Sequence, residues 1–554
     1  MAVAVVVSGC SSGDRAGTDN SEFDPNQPSG QYFITITRND TATVFSTTGE
    51  NLVSFPENEV VNSLFGFDGG YGVLKKDGKY QIVSVKGEVT FESEKEIKKF
   101  APDAYEVINE ERDHGLVDHS GKVIVDYGKY RWYNYESSLN DRRSDVKYII
   151  VENDDDTWGI IDEYGKVLVE PTNAKPEGHD RIETSARGNL SSVNGGGKLY
   201  MLAFGQVVLS TDHDRNEHNL RGSISEYRFT HPDDYGFFSN SLGLYVVHGG
   251  QATRIEGWSD ARVDSGDLWV LYGRDVKDGE SPINGQRAIY DPVEGIILSE
   301  VVFPNDHVDV SFSAEGPLVI DTADEPMRKV LTKHGMTEYQ RLGSDIHPLG
   351  SGYYAVPLAD ERIDRDITKR TWGVFNYQGH KVLETVGHRR DWLGCHGMPT
   401  AAMSADDKTV FAVFDADDCS IVHLLDDQGN TIQSFPDTRN ATIKSWKGHD
   451  VGVVRNEYFS LLRAQDEESG GRILIDSTGE IVLEGYLGDL GGHAEAADFA
   501  KVKVDGRIGV YSFATGDFLI EPAFDSIRYD NGFFIWGEVD KHYTYFALNG
   551  VELV

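Results

Sequence analysis

Carboxylates are the most numerous side chains here that could do chemistry, 91 against 52 lysines and arginines. Two runs concentrate them, Asp154-Asp155-Asp156 and Asp415-Ala416-Asp417-Asp418, and both supply the oxygen ligands a calcium ion takes. Neither carries the glycine and distal glutamate of an EF-hand loop, so both read as turn acids. No cofactor is expected, and calcium is the one weak candidate. His213 and His218, within DHDRNEHN, have acidic neighbours that would complete a metal site; a solvated loop is the plainer reading. No Gly-x-Ser-x-Gly, His-Glu-x-x-His, Gly-x-x-x-x-Gly-Lys or Cys-x-x-Cys pattern occurs, which removes the motif-borne routes to acyl transfer, zinc hydrolysis, phosphate binding and dithiol chemistry. A carboxylate pair for glycoside hydrolysis cannot be chosen by spacing alone among so many. No catalytic residue is therefore expected. Trp132, Trp258, Trp269, Trp392, Trp446 and Trp536 would suit an aromatic platform for sugar or peptide, although packing between sheets explains them more simply.

What positions these residues is an internal repeat, the feature to seek first because it sets the whole fold. DHGLVDHSGKVIVD from Asp113, DTWGIIDEYGKVLVEP from Asp156, RTWGVFNYQGHKVLET from Arg370 and RIGVYSFATGDFLIEP from Arg507 share one plan. Each has a residue followed by Gly, an apolar-rich run, a turn, then a second apolar run. The turn has Asp, Asn or Ser first and Gly fourth, the preference of a type I turn. Asp118 with Gly121, Asp162 with Gly165, Asn376 with Gly379, Asp426 with Gly429 and Asp476 with Gly479 are the clearest, joined by Ser46 with Gly49 and Ser84 with Gly87. Followed along the chain, the glycine recurs at Gly49, Gly87, Gly121, Gly165, Gly205, Gly249, Gly295, Gly335, Gly379, Gly429, Gly479, Gly516 and Gly550, a mean step of about 42 residues. Gly205, Gly249, Gly295 and Gly335 lack the Asp or Asn partner and are placed partly by spacing. Between the hairpins lie alternating segments such as KYIIVENDD and AKVKVDG, which read as strands.

The expected fold is all-β, a β-propeller of about 12 to 13 repeats, and that number exceeds the 4 to 8 blades of one ring. Two six- or seven-bladed rings follow, over residues 31–310 and 311–554, with an open β-repeat array as the alternative. The C-terminal hairpin HYTYFALNGVELV is expected to close on the N-terminal strand QYFITITRND, because shared blades remove exposed edges.

Trp158-Gly159, Asp162, Gly165-Lys166 and Glu170-Pro171 together resemble the unit of the WG-repeat family. The resemblance extends over residues 31–554, strongly in five or six units. It implies a β-propeller-like bacterial surface or secreted protein. Ser404-Ala405-Asp406-Asp407-Lys408-Thr409 partly resembles the Asp-box turn of sialidase-type propellers, with Lys408 where that motif has Gly.

Near the start, the apolar stretch Ala2 to Val7 leads into Ser8-Gly9-Cys10, an order that resembles a bacterial lipobox over residues 1–10. The resemblance implies cleavage before Cys10 and acylation there. Residues 11–30, SSGDRAGTDNSEFDPNQPSG, are nearly free of aliphatic side chains and read as a flexible tether with a reach of roughly 25 Å. Outside the cytoplasm the other two cysteines, Cys395 and Cys419, are expected to pair. With no run of eighteen apolar residues, membrane attachment would be through lipid alone. A formal charge of −39 repels phosphate backbones and anionic headgroups, which excludes nucleic acid as a partner. The function expected is therefore a non-enzymatic, lipid-anchored module on the extracytoplasmic face that binds or scaffolds an extracellular protein or glycan. A propeller-type extracellular hydrolase such as a glycosidase is the alternative.

Overall fold

The computed structural model describes residues 3–4, 33–46, 48–61, 66–134, 146–174, 182–187, 189–212, 223–226, 233–240, 243–262, 268–273, 286–302, 308–313, 315–322, 326–342, 346–364, 367–390, 397–405, 408–436, 438–447, 454–463, 472–490, 499–513, 515–530 and 534–553. Twelve antiparallel sheets, numbered here in chain order, hold nearly all of them, and no α-helix occurs among the described residues. Nine sheets have four strands, with each strand beside its neighbours in sequence. This is the up-and-down meander of propeller blades, and the chain is an all-β propeller. Sheet 11, from Thr438–Lys447 to Asp517–Phe524, has seven strands and contains both Gly479 and Gly516. Thirteen repeats thus occupy twelve sheets.

Sheet 4 shows why these sequences form blades. Its strands are Trp132–Asn134, Tyr148–Glu152, Thr157–Asp162 and Val167–Ala174. Alternate side chains point to opposite faces, and here both faces are dry. Ile149, Val151 and Ile161 pack with Leu116, Phe100 and Val125 of sheet 3. Tyr148, Ile150, Trp158 and Ile160 pack with Val193, Tyr200 and Leu202 of sheet 5. A blade therefore cannot bury its apolar residues alone, and two faces buried by two neighbours is what a stacked repeat requires.

All thirteen repeat glycines have positive φ, from +56° at Gly249 to +120° at Gly335. At Gly121 there is a second requirement. A Cβ there would lie 2.2 Å from Phe91 on the outer strand Val89–Ser93 of sheet 2. Gly165 meets Ile124 and Val125 of sheet 3, Gly429 meets Leu383 of sheet 9, and Gly479 meets Gln433 of sheet 10 in the same way. These four turns are thus seated on the outer strand of the sheet before them.

Contacts divide the chain into two compact units, residues 1–256 with 529–536 and 541–554, and residues 257–528 with 537–540. The division falls at 256/257 rather than 310/311. Residue 310 lies inside the strand Val308–Ser313, so a boundary there would split sheet 8. The chain ends also meet differently from expectation. Phe33–Arg38 pairs with the adjacent Thr41–Ser46 in sheet 1, while the C-terminal strands form sheet 12. Asn39 and Asp40, both at positive φ, make a two-residue turn whose local closure costs far less than pairing across the whole chain. Within the first unit, a Cβ on Gly49 would lie 2.7 Å from Val551 and 3.2 Å from Leu553, and the Asn549 side-chain amide donates to the Thr48 carbonyl at 3.1 Å. The last residues of the chain take the place of the preceding blade for the first one, so this unit is not an open array.

Val3–Ala4 pairs with Phe33–Arg38, a pairing that cleavage before Cys10 would remove. Cys10 and residues 11–30 lie outside the described residues, as do Cys395, His213, His218 and Trp392; of Trp446, in the strand Thr438–Lys447, only the backbone is described.

Candidate functional site

The turn residues singled out by sequence bond to their own backbone. Asp118 Oδ1 accepts from the Ser120 and Lys122 amides at 2.8 and 3.0 Å, and the Gly121 amide donates to the Asp118 carbonyl at 3.0 Å. Asp162 with Gly165, Asp426 with Gly429 and Asp476 with Gly479 repeat that set within 0.3 Å. Asn376 accepts from the His380 amide at 2.9 Å, and Gly379 closes the turn. These acids are consumed by Asx geometry.

The Trp-Gly and Glu-Pro elements turn out to be one device. Gly159 lies where a Cβ would meet the Val169 carbonyl at 2.4 Å and the Pro171 nitrogen at 2.6 Å, and the pairing shifts register between Trp158 and Ile160. Gly509 stands in the same relation to Ile520 and Pro522. Proline interrupts the ladder, the fourth strand bulges inward, and only glycine opposite leaves room. Trp158 then fills the seam to sheet 5, its indole donating to the Ala174 carbonyl at 3.2 Å and meeting Tyr200 edge-on at 5.9 Å.

The acidic runs are turns. Asp155 caps Thr157, Asp156 pairs with Arg131 at 2.6 Å, and Asp415 Oδ1 accepts from the Asp417 and Asp418 amides at 2.8 Å each. Among the described residues no three His, Cys, Asp or Glu side chains are grouped to hold a metal ion. Cys419 is disulfide-bonded. Among the described side chains the tryptophans are not gathered into a platform: Trp158, Trp258, Trp269 and Trp372 are buried, Trp132 is 39% exposed in sheet 4, and Trp536 packs on Tyr543 in sheet 12. Asp406 and Asp407 of the Asp-box-like run lie outside the described residues.

A cluster that motif reading did not find lies where sheets 2, 3 and 4 meet. In a meander the first and third turns emerge at the same end, so adjacent blades bring several turns together. Sheet 3 runs Ile97–Ala101, Ala104–Ile108, His114–Val117 and Val123–Val125. From its first strand, buried Lys99 donates to the carbonyls of Gly66, Asp68 and Tyr71 at 3.2, 2.6 and 2.5 Å, and lies 5.7 Å from the Tyr105 ring. An ammonium has three N–H donors, and all three are used. Burial pulls the Lys99 pKa down to about 7, with Asp68 and Asp103 opposing.

Asp103, in the first turn of sheet 3, is the hub. Its Oδ1 accepts from the His119 amide at 2.8 Å and lies 2.8 Å from His119 Nδ1, a bond that raises the histidine pKa. The His119 ring stacks on Tyr71 with centroids 4.0 Å apart. From sheet 4, buried Glu163 is held protonated toward higher pH by burial, Lys147 opposing. Beside it Tyr164 is 61% exposed, and partial desolvation together with the charges of Glu163 and Asp103 raises its pKa. The outcome is a partly open patch with an exposed aromatic ring, a carboxylate, an imidazole and a buried acid. Such a set stacks on a ring and exchanges hydrogen bonds with hydroxyls or amides. The one clue in the sequence was Lys99 itself, a cation at an inward position of a strand otherwise closed by Ile97 and Phe100.

No protein-family profile and no curated protein sequence matches the chain. Solved structures do, at low similarity. A eukaryotic initiation factor is 12% identical, with 69% of this chain and 95% of that chain covered at a TM-score of 0.28. The C-terminal WD40 domain of Sif2 is 10% identical, with 64% and 91% covered at 0.27. BBS1N, crystallised with ARL6DN, is 11% identical, with 53% and 90% covered at 0.22. Such loose superpositions carry nothing about function.

Proposed function

We propose that this chain is a lipid-anchored, extracytoplasmic β-propeller protein of the WG-repeat kind that binds or scaffolds an extracellular protein or glycan. The observation that carries the binding reading is the patch formed by Tyr164, His119, Tyr71 and Asp103, in which a 61% exposed ring stands beside hydrogen-bonding groups fixed by three sheets. Exposed aromatics flanked by rigid polar groups are the usual anchors of recognition. The formal charge of −39 selects against acidic partners and favours basic or neutral ones. Attachment rests on Cys10 and the run before it; no described helix is long and apolar enough to cross a membrane.

Glycan and protein arrays probed with residues 31–554, in wild-type form and as Tyr164→Ala and His119→Ala, test the reading. A ligand whose signal falls at least tenfold in both variants supports it; no ligand, or one indifferent to both, overturns it. Metabolic labelling with an alkyne fatty acid tests the anchor, and label surviving Cys10→Ala overturns that part.

A further inference from the structure

Sheet 10 holds a second constellation, built from residues with no recognised spacing. Its strands are Pro399–Ala405, Lys408–Phe414, Val422–Asp426 and Thr431–Phe435. His423 and Ser434 are direct cross-strand partners. Their side chains meet, His423 Nδ1 lying 2.8 Å from Ser434 Oγ, while His423 Nε2 lies 2.8 Å from Asp415 Oδ2. A carboxylate only accepts, so the Nε2 proton is donated to Asp415. Nδ1 is then the bare nitrogen, and the serine hydroxyl donates to it.

Asp415 is fixed in turn. Its second oxygen accepts from the Asp417 and Asp418 amides at 2.8 Å each, and its own amide donates to the Ile421 carbonyl at 2.9 Å. The disulfide at Cys419 and the Asp418–Ser420 bond at 2.7 Å fasten the same loop. The ladder supplies the remaining part. The Asp415 to Ile421 bond sets the alternation that turns His423 toward the second strand and Leu424 toward the fourth. Ser434, opposite His423, therefore directs its N–H to the open edge of the sheet.

We propose that Ser434, His423 and Asp415 form an acyl-transfer centre that takes ester substrates lying across the exposed edge of sheet 10. This goes beyond the binding reading and uses none of its residues. The Ser434 oxygen bonds to the ester carbonyl carbon as its proton passes to His423 Nδ1. Asp415 holds the imidazolium through Nε2, and the Ser434 N–H donates to the carbonyl oxygen as it gains charge. Collapse breaks the ester C–O bond, and the leaving alcohol takes the proton from Nδ1. Water then repeats the sequence, releasing the carboxylic acid and restoring the serine. Ser434 is the nucleophile and His423 the base; Asp415 is a positioning residue.

The test uses the full chain with a fluorophosphonate and, separately, p-nitrophenyl acetate. Intact mass and peptide mapping should find one adduct per chain, on Ser434, absent in Ser434→Ala. His423→Gln should slow its formation at least a hundredfold and Asp415→Asn at least tenfold. Ser434→Cys keeps the question open to refutation if these variants fold poorly: its thiol should alkylate with iodoacetamide faster than a free cysteine, with a pH profile that shifts in His423→Gln. Adducts elsewhere, no adduct, or rates unchanged by His423→Gln while melting temperature falls would show the chain of bonds to be only a tie between turn and strands, and would overturn the proposal.

Discussion

Replacing Gly121 by alanine should cost far more than replacing Gly78, although both have φ near +80°. The shared cost is a Cβ in the left-handed region, about 1–2 kcal/mol. Gly78 has nothing within 4 Å of the position a Cβ would take, so Gly78→Ala bears that cost alone. At Gly121 the new Cβ would sit 2.2 Å from Phe91 Cδ2 and 2.7 Å from Cε2, so the ring or the turn must move. Overpacking of that kind costs about 1–3 kcal/mol. The excess should appear locally, because sheets 2 and 3 are joined at this turn. Hydrogen–deuterium exchange of Val89–Ser93 and Val123–Val125 measures it directly. An excess of about 1–3 kcal/mol means exchange roughly 5 to 150 times faster than in Gly78→Ala. Phe91→Ala should relieve the added cost in the double variant, a non-additivity expected of residues in contact. Equal effects at Gly121 and Gly78, or no relief from Phe91→Ala, would refute the view that this turn is seated on the preceding blade.

Gly159→Ala should destabilise by about 3 kcal/mol or more, since its Cβ meets backbone atoms of Val169 and Pro171 that have no rotamer to change; urea unfolding followed by tryptophan fluorescence checks it. Asp118→Ala should cost about 1–2 kcal/mol in the same assay, and Asp118→Asn less, because the amide oxygen still accepts from the Ser120 and Lys122 amides. Lys99 is depressed to about 7 in the folded chain against 10.5 when exposed, so between those values the unfolded state binds more protons and stability rises with pH. Lys99→Met should remove up to about 1.4 kcal/mol per pH unit of that slope, read from denaturation midpoints at pH 7 to 10; parallel wild-type and variant curves would contradict it.

The architecture could be read from the sequence wherever turn chemistry was explicit. Asp162 and Asp476 announce their hairpins because a side-chain oxygen must satisfy amides in a four-residue turn. The middle of the chain was faint for a physical reason. Phe204-Gly205 and Gly249-Gly250 are two-residue turns with positive φ at both positions, a geometry that needs no capping acid. The Tyr164 patch and the Ser434 chain were illegible because their members come from separate turns and strands. Asp103, His119 and Glu163 share no spacing that a motif could carry, and Asp415, His423 and Ser434 meet only once cross-strand register is known.

The first unit is interrupted in sequence by the second, and its final segment, residues 541–554, is made last. A ribosome adding roughly 5–20 residues per second needs about 15–55 s to traverse the 257–528 insertion. For that interval the nascent sheet 1 has no Val551 or Leu553 against Gly49 and presents an apolar flank to its surroundings. Chains stalled or clipped before residue 541 would keep that flank, so premature termination should yield sticky products although residues 257–528, the bulk of the second unit, are already made.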